Sequence, residues 1–179
     1  KLPGYKPVMS GHAAQVKRAA KLINEAERPL IIAGRGVAIS GAHRELKELA
    51  ELGEIPVVTT LLGRGSFPEG HELSFGMPGM HGMAYANLAV DGADLLIAVG
   101  MRFDDRVTGE ISKFAPQAKV IHIDIDPAEI GKHVRVEVPI VGDARQVLGA
   151  IIKEVEGRRH DEWLGQLKEW REKHPLVIR

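Results

Sequence analysis

The segment Gly100-Met101-Arg102-Phe103-Asp104-Asp105-Arg106-Val107-Thr108-Gly109 follows directly on the apolar run Leu95-Leu96-Ile97-Ala98-Val99. A short apolar run bounded by turn formers reads as a buried strand. In open parallel α/β sheets, ligands gather beyond the carboxyl ends of such strands. Arg102 and Arg106 carry guanidinium forks that can hold a phosphate or the edge of a flavin, and Asp104 and Asp105 between them can fix those forks. Taken alone, the segment is also compatible with a charged, solvated turn that binds nothing.

Three further segments have side chains or backbone suited to a ligand. Gly34-Arg35-Gly36 stands between the apolar run Leu30–Ala33 and a helical pattern, where glycines let a phosphate approach backbone N–H groups. The third glycine of a dinucleotide fingerprint is replaced by Ile39, and the next strand ends Val58-Thr59-Thr60 with no acid for a ribose, which disfavours an ordinary NAD dehydrogenase. A tight turn without a ligand explains the same two glycines. The span from Leu61 to Met83 holds six glycines and two prolines in 23 residues, and so long a loop without elements of its own is expected to be functional or mobile. Within it, Gly79-Met80-His81-Gly82 offers a thioether and an imidazole that can line an aromatic ring, or a histidine that simply faces solvent. No acid or second histidine stands at ligand spacing around His81, so no metal site is expected. At the end of His122-Ile123-Asp124-Ile125-Asp126-Pro127-Ala128-Glu129-Ile130, Asp124 is placed to accept from sugar hydroxyls and Asp126 to cap a turn opened by Pro127. Gly142-Asp143 supplies another backbone N–H cluster at a strand-to-helix junction.

The elements that must position these residues alternate along the chain. Val16, Ala19, Ala20, Ile23 and Ala26 recur at helical spacing before the strand Leu30–Ala33. Ser40 is placed to cap a helix faced by Ala42, Leu46, Leu49 and Ala50 and ended by Gly53, ahead of the strand Pro56–Thr59. A helix near Ala84–Val90, the Leu95 strand, a strand Val120–Ile125 and an edge strand around Val134–Val141 follow. Asp143 and Gln146 resemble a capping box for a helix faced by Val147, Leu148, Ile151, Ile152 and Val155. The pattern predicts an α/β, Rossmann-like doubly wound sheet of about six mostly parallel strands flanked by helices. The terminal helix Asp161–His174 places Trp163, Leu164, Leu167 and Trp170 on one stripe, either core or the cover of a neighbouring domain.

Composition narrows the function classes. Lys+Arg 24 balances Asp+Glu 24 in 179 residues, so no basic field points to nucleic acid or an anionic membrane. No apolar run approaches the roughly 20 residues that cross a bilayer, and residues 1–10 do not read as a signal peptide. The chain has no cysteine, which removes disulfides and thiolate chemistry. A cytoplasmic protein is the expectation. Residues 1–179 read as a single domain, with 1–9 as a linker and 157–179 as a terminal helix and linker, both ends looking cut from something longer.

Taken in order, Gly79-Met80-His81-Gly82, Arg102-Phe103-Asp104-Asp105-Arg106-Val107-Thr108-Gly109, His122 to Ile130 and Gly142-Asp143 closely resemble the central domain of acetolactate synthase large catalytic subunits, from about Pro7 to Glu156. Such enzymes join three α/β domains, hold thiamine diphosphate and a divalent metal such as Mg2+ between the first and third, and hold FAD on the middle one. They condense pyruvate with a second 2-oxo acid on the route to branched-chain amino acids, and the flavin has no redox role in that main reaction. The resemblance implies that Gly34, Arg35 and Gly36 meet the FAD phosphates and that Thr60 and Leu61 border the flavin. By the same likeness Met80, His81, Gly82, Gly100, Arg102, Asp104, Arg106 and Val107 lie along its ring and tail, and Asp124, Ile125, Gly142 and Asp143 surround the adenosine. No catalytic or metal-ligating residue is implied in this chain.

The chain departs from the family at Arg35, where a third glycine is usual, and it lacks the Gly-Asp-Gly signature of the thiamine diphosphate site, since Gly142-Asp143-Ala144 does not supply one. It is therefore expected to bind FAD without catalysing carboligation by itself. Its expected partners are the other domains of the same subunit, a homodimer or larger oligomer, and a regulatory subunit. Two other readings remain: the equivalent domain of glyoxylate carboligase or pyruvate oxidase, and a non-catalytic nucleotide-binding module.

Overall fold

The computed structural model describes residue 4 and residues 6–176; residues 1–3, 5 and 177–179, which belong to the two expected linkers, lie outside the described residues. In chain order the elements are α1 (Ala13–Glu25), β1 (Pro29–Ala33), α2 (Arg35–Ser40), α3 (His43–Leu52), β2 (Val57–Thr59), α4 (Ala84–Gly92), β3 (Leu95–Val99), α5 (Asp105–Thr108), β4 (Lys119–Asp124), β5 (Val138–Val141), α6 (Ala144–Ile152) and α7 (Asp161–Lys173). The five strands form one sheet of order β2-β1-β3-β4-β5. Every pairing is parallel, with Leu30 opposite Leu96, Ile97 opposite Ile121 and Ile123 opposite Ile140.

The sheet is buried on both faces because its strands are apolar at successive positions. Ile31, Ala33, Ile97, Val99, Ile121, Ile123 and Ile140 point to a core shared with α1, α3 and α6. Leu30, Ile32, Val58, Leu96, Ala98 and Val120 point the other way, to a core shared with α4 and α7. The chain leaves β1 through α2 and α3 to reach β2, then recrosses by α4 to β3 on the far side of β1. That reversal is a topological switch point, and it lies between the carboxyl ends of β1 and β3. Among the described residues no helix is long and apolar enough to cross a membrane.

Five strands stand where about six were expected, and the edge strand starts at Val138 rather than Val134. Val134 and Val136 spend their side chains against the α4/α7 core instead of in a ladder. Pro139, which lacks an N–H, sits on the outermost strand, where a missing donor is tolerated.

Ser40 caps nothing. It ends α2, with its hydroxyl donating back to the Val37 carbonyl at 3.2 Å, and Gly41 at φ +66° breaks the chain before α3. The Asp143 cap is present, its carboxylate accepting from the Gln146 N–H at 3.1 Å. Nor is the span after Leu61 structureless: Leu61–Gly63 is a 3₁₀ turn, Ser74 bridges Val57, and Phe67 and Phe75 are buried in opposite cores.

The terminal helix packs on its own domain. Trp163 is buried and donates from its indole nitrogen to the Pro29 carbonyl at 3.0 Å, and Trp170 stacks edge-on against it, half-buried. His160, just ahead of α7, lies between the Gly53 carbonyl at 2.8 Å and the Ala26 carbonyl at 3.1 Å, tying the helix to the ends of α1 and α3.

Candidate functional site

The carboxyl ends of β1 to β4, with the turn Gly79–Gly82, form a rim that gathers most of the sequence-derived residues. At its centre two strand-end turns interlock. The Gly34 N–H donates to the Val99 carbonyl and the Gly36 N–H to the Gly100 carbonyl, each at 2.9 Å. A Cβ at Gly34 would lie 2.3 Å from the Gly100 oxygen, and one at Gly36 would lie 2.5 Å from the Gly100 Cα. Gly100 itself has φ +57°. These glycines are required by backbone meeting backbone, and two N–H groups expected to face a phosphate are already engaged. What the turn leaves exposed is the Arg35 side chain.

The next turn presents Arg102 by alternation, and α5 after it carries Arg106. Met101 and Phe103 are buried while Arg102 between them is exposed. His122, fully buried on β4, pins this turn from below. Its Nε2 lies 2.8 Å from the Met101 carbonyl and its ring meets Phe103 edge-on at 5.1 Å, so Nε2 carries the donated hydrogen. Burial pushes the His122 imidazole below its ordinary value and so favours that neutral form. Asp104 then opens α5, which ends in a loop at Gly109. The Arg102 and Arg106 guanidiniums meet acids only loosely, Asp104 at 3.8 Å and Asp105 at 4.0 Å, and both side chains are about two-thirds exposed. One Asp104 carboxylate oxygen is buried without a partner.

The Gly79–Gly82 turn is laid onto α5. The Met80 N–H donates to the Arg106 carbonyl at 3.0 Å, and Met80 Sδ lies 3.7 Å from Arg106 Nη1. A Cβ on Gly82 would meet the Met77 carbonyl at 2.3 Å, so the turn closes tightly on itself. Val107 is half-buried against the α4/α7 core, whereas Met80 and His81 are exposed. On the β2 side the Thr60 N–H donates to the Ala33 carbonyl at 2.9 Å, and Thr60 Oγ1 accepts from the Gly63 N–H at 3.2 Å, leaving Leu61 exposed.

On the β4 side Asp124 is half-buried and accepts from the Asp126 N–H at 2.9 Å, with Ile125 exposed beside it. Desolvation raises the Asp124 carboxyl above its ordinary value, reinforced by Asp126 and Glu129, while the Asp126 N–H works in the opposite direction. Asp126 forms a turn with the Ala128 N–H at 2.9 Å, and no helix follows. Gly142 and Asp143 are a correction. The Gly142 N–H donates to the Asp124 carbonyl and the Asp143 N–H to the Met9 carbonyl, so the expected free N–H cluster is occupied and covered by the chain around Met9. Packing at the start of the domain, invisible to local pattern, accounts for it.

Comparison with known proteins bears on what this rim belongs to. The family described as "Thiamine pyrophosphate enzyme, central domain" matches residues 16–151. This chain belongs to that family. As such a domain it is 59% identical over 171 residues to a probable acetolactate synthase large subunit of Methanocaldococcus jannaschii, covering 94% of this chain and 29% of that protein. It is 53% identical over 179 residues to the acetolactate synthase large subunit of Corynebacterium glutamicum (97% and 29%), and 54% identical over 166 residues to an acetolactate synthase of Mycobacterium avium (93% and 26%). The chain thus spans under a third of the length of these curated relatives.

Two supports of the rim in this thiamine pyrophosphate enzyme central domain escape sequence reading: His122 under Met101, and Asn87 under Gly79. His122 sits inside an apolar strand pattern and Asn87 inside a helical one, where either residue could equally have faced solvent. Two clefts of about 820 Å³ lie away from the rim. One is below the amino ends of the strands beside Arg28, Gly92 and Trp170, and one is between α3 and α6 beside Glu45 and Arg145.

Proposed function

We propose that this chain is the FAD-holding central domain of an acetolactate synthase large subunit. The observation that carries the reading is the rim itself. Two loosely paired, exposed arginines, one of them against Met80, stand on the same carboxyl-end edge of the parallel sheet as exposed Leu61 and Ile125. A pyrophosphate needs cationic forks and an isoalloxazine ring needs apolar edges.

Because the Gly34 and Gly36 N–H groups are engaged, the phosphates fall to Arg102 and Arg106, with Arg35 within the same turn system. Leu61, Met80 and His81 border the ring, Val107 supports that border from α5, and Asp124 accepts from the ribose. Bound here, FAD supplies a structural part of the active enzyme and no electrons to the main reaction. Thiamine diphosphate and Mg2+ belong to other domains of the longer protein, in which pyruvate is condensed with a second 2-oxo acid for branched-chain amino acid synthesis. A regulatory subunit and a homodimer or larger assembly complete the proposal, with a cytoplasmic setting.

The test is titration with FAD, followed by flavin fluorescence and calorimetry. Saturable binding with one FAD per chain is expected. Absence of binding both in this chain and in the protein at full length would overturn the cofactor reading.

A further inference from the structure

We infer that Asn87 is a positioning residue for the ligand rim, acting through Gly79 and Met80; the role rests on the FAD reading above. Asn87 lies on α4, a helix seated in the core by Ala86, Ala89 and Val90. Its side-chain amide meets the backbone of Gly79 twice. The Gly79 N–H donates to Asn87 Oδ1 at 2.7 Å, and Asn87 Nδ2 donates to the Gly79 carbonyl at 3.1 Å. The pair reproduces with one side chain what a neighbouring strand would offer, an acceptor and a donor side by side. Aspartate keeps only the acceptor, and alanine offers neither.

The clamp matters because of what is joined to Gly79. Gly79 has φ +104°, and a Cβ there would lie 2.3 Å from the Arg106 carbonyl, so the turn can press onto α5 only with glycine at this point. The next N–H, that of Met80, makes the bond to the same carbonyl. The Gly79 carbonyl also accepts from the Gly82 N–H at 2.9 Å, so one clamped residue closes the turn in both directions. A rigid helix therefore fixes where Met80 and His81 stand relative to Arg106, although Asn87 itself is half-buried and outside the set of rim residues. A glycine-rich turn without such a clamp would have to be ordered by the ligand, and affinity would fall by that cost.

The experiment uses the protein at full natural length, as wild type, Asn87→Ala, Asn87→Asp, Met80→Ala and the Asn87→Ala/Met80→Ala double variant. FAD affinity is measured by fluorescence titration well below the melting temperature, and amide hydrogen exchange is followed at Gly79 and Met80 without FAD. Asn87→Ala is expected to stay folded by circular dichroism, to lose protection at both amides, and to bind FAD roughly tenfold more weakly. Asn87→Asp is expected between wild type and alanine in both readouts. If Asn87 acts through Met80, the double variant loses clearly less than the product of the two single losses. Independent, multiplying losses, or unchanged affinity in Asn87→Ala when wild type binds FAD, would overturn this role alone. A wild type that takes no FAD would instead remove the cofactor reading and this role with it.

Discussion

Arg102 projects from a turn seated by buried Met101 and Phe103, Arg106 projects from α5, and both guanidiniums are largely exposed, so removing either should not disturb the fold. Each alanine variant is expected to weaken FAD binding ten- to hundredfold, the loss of a charge-assisted bond of about 1.5–3 kcal/mol. Fluorescence titration of the protein at full length checks this, and affinity unchanged from wild type in both variants would return the segment to a structural role or to the substrate side only. Asp124 poses the opposite situation. Its carboxylate is partly desolvated beside Asp126 and Glu129, so the fold disfavours its charge and its carboxyl titrates higher when folded than when unfolded. A group raised in this way weakens the fold where it is ionised, and the cost disappears as pH falls until the carboxyl is protonated in both states. Asp124→Asn, which keeps an acceptor for the Asp126 N–H, is therefore expected to melt higher than wild type at pH 7, with the difference closing below about pH 4. If Asp124 meets the ribose, the same variant binds FAD more weakly. A melting temperature that falls at pH 7 would show that the carboxylate is needed for the fold.

Between elements, the decisive contact is the one between the turns after β1 and β3, where Gly36 and Gly100 touch backbone to backbone. Gly36→Ala must part those turns, and a cost on the order of 1–3 kcal/mol is expected from overpacking, or several degrees of melting temperature at this chain length. Calorimetry on this variant against Gly70→Ala, where a Cβ would meet nothing within 4 Å, separates crowding from a general glycine effect. The contrast also shows what local pattern could and could not reveal. Leu30–Ala33, Leu95–Val99 and Val120–Ile123 announced buried strands because burial on two faces leaves an apolar run in the sequence. Gly34, Gly36 and Gly100 announced an unusual backbone, but whether a glycine serves a ligand or a neighbouring turn is decided by residues more than sixty positions away. The four-residue α5 is too short to show a helical period. Ser40 was a plausible cap until Gly41 broke the helix in front of it, and Gly142-Asp143 was a plausible open cluster until the chain near Met9 covered it.

At the scale of the molecule, membership of the thiamine pyrophosphate enzyme central-domain family and coverage of under a third of its relatives lead to two expectations. The 179 residues supplied with pyruvate, thiamine diphosphate, Mg2+ and FAD should form no acetolactate, since the chain carries no Gly-Asp-Gly signature for the cofactor. Acetolactate above a protein-free control would overturn that. The second expectation concerns surface. Trp163, one candidate for a face awaiting other domains, is buried in its own core, and Met77, Met83 and Trp170 are half-covered. Bare apolar side chains do stand at the rim, where Leu61 is 70% exposed, Leu62 66% and Met80 58%, while Val8, Ile39, Ile111 and Leu176 are exposed on other segments. Large apolar side chains left bare at one end of a sheet favour association once they form a contiguous patch. The 179 residues are thus expected to self-associate with concentration in analytical ultracentrifugation. Leu61→Asp with Leu62→Asp should abolish this with little loss of stability, because both side chains already face water. Bound FAD, by covering Leu61 and Met80, should weaken association in the unmodified chain. A strictly monomeric chain, or association that survives the double substitution, would mean that the rim is not the surface through which this domain meets its neighbours.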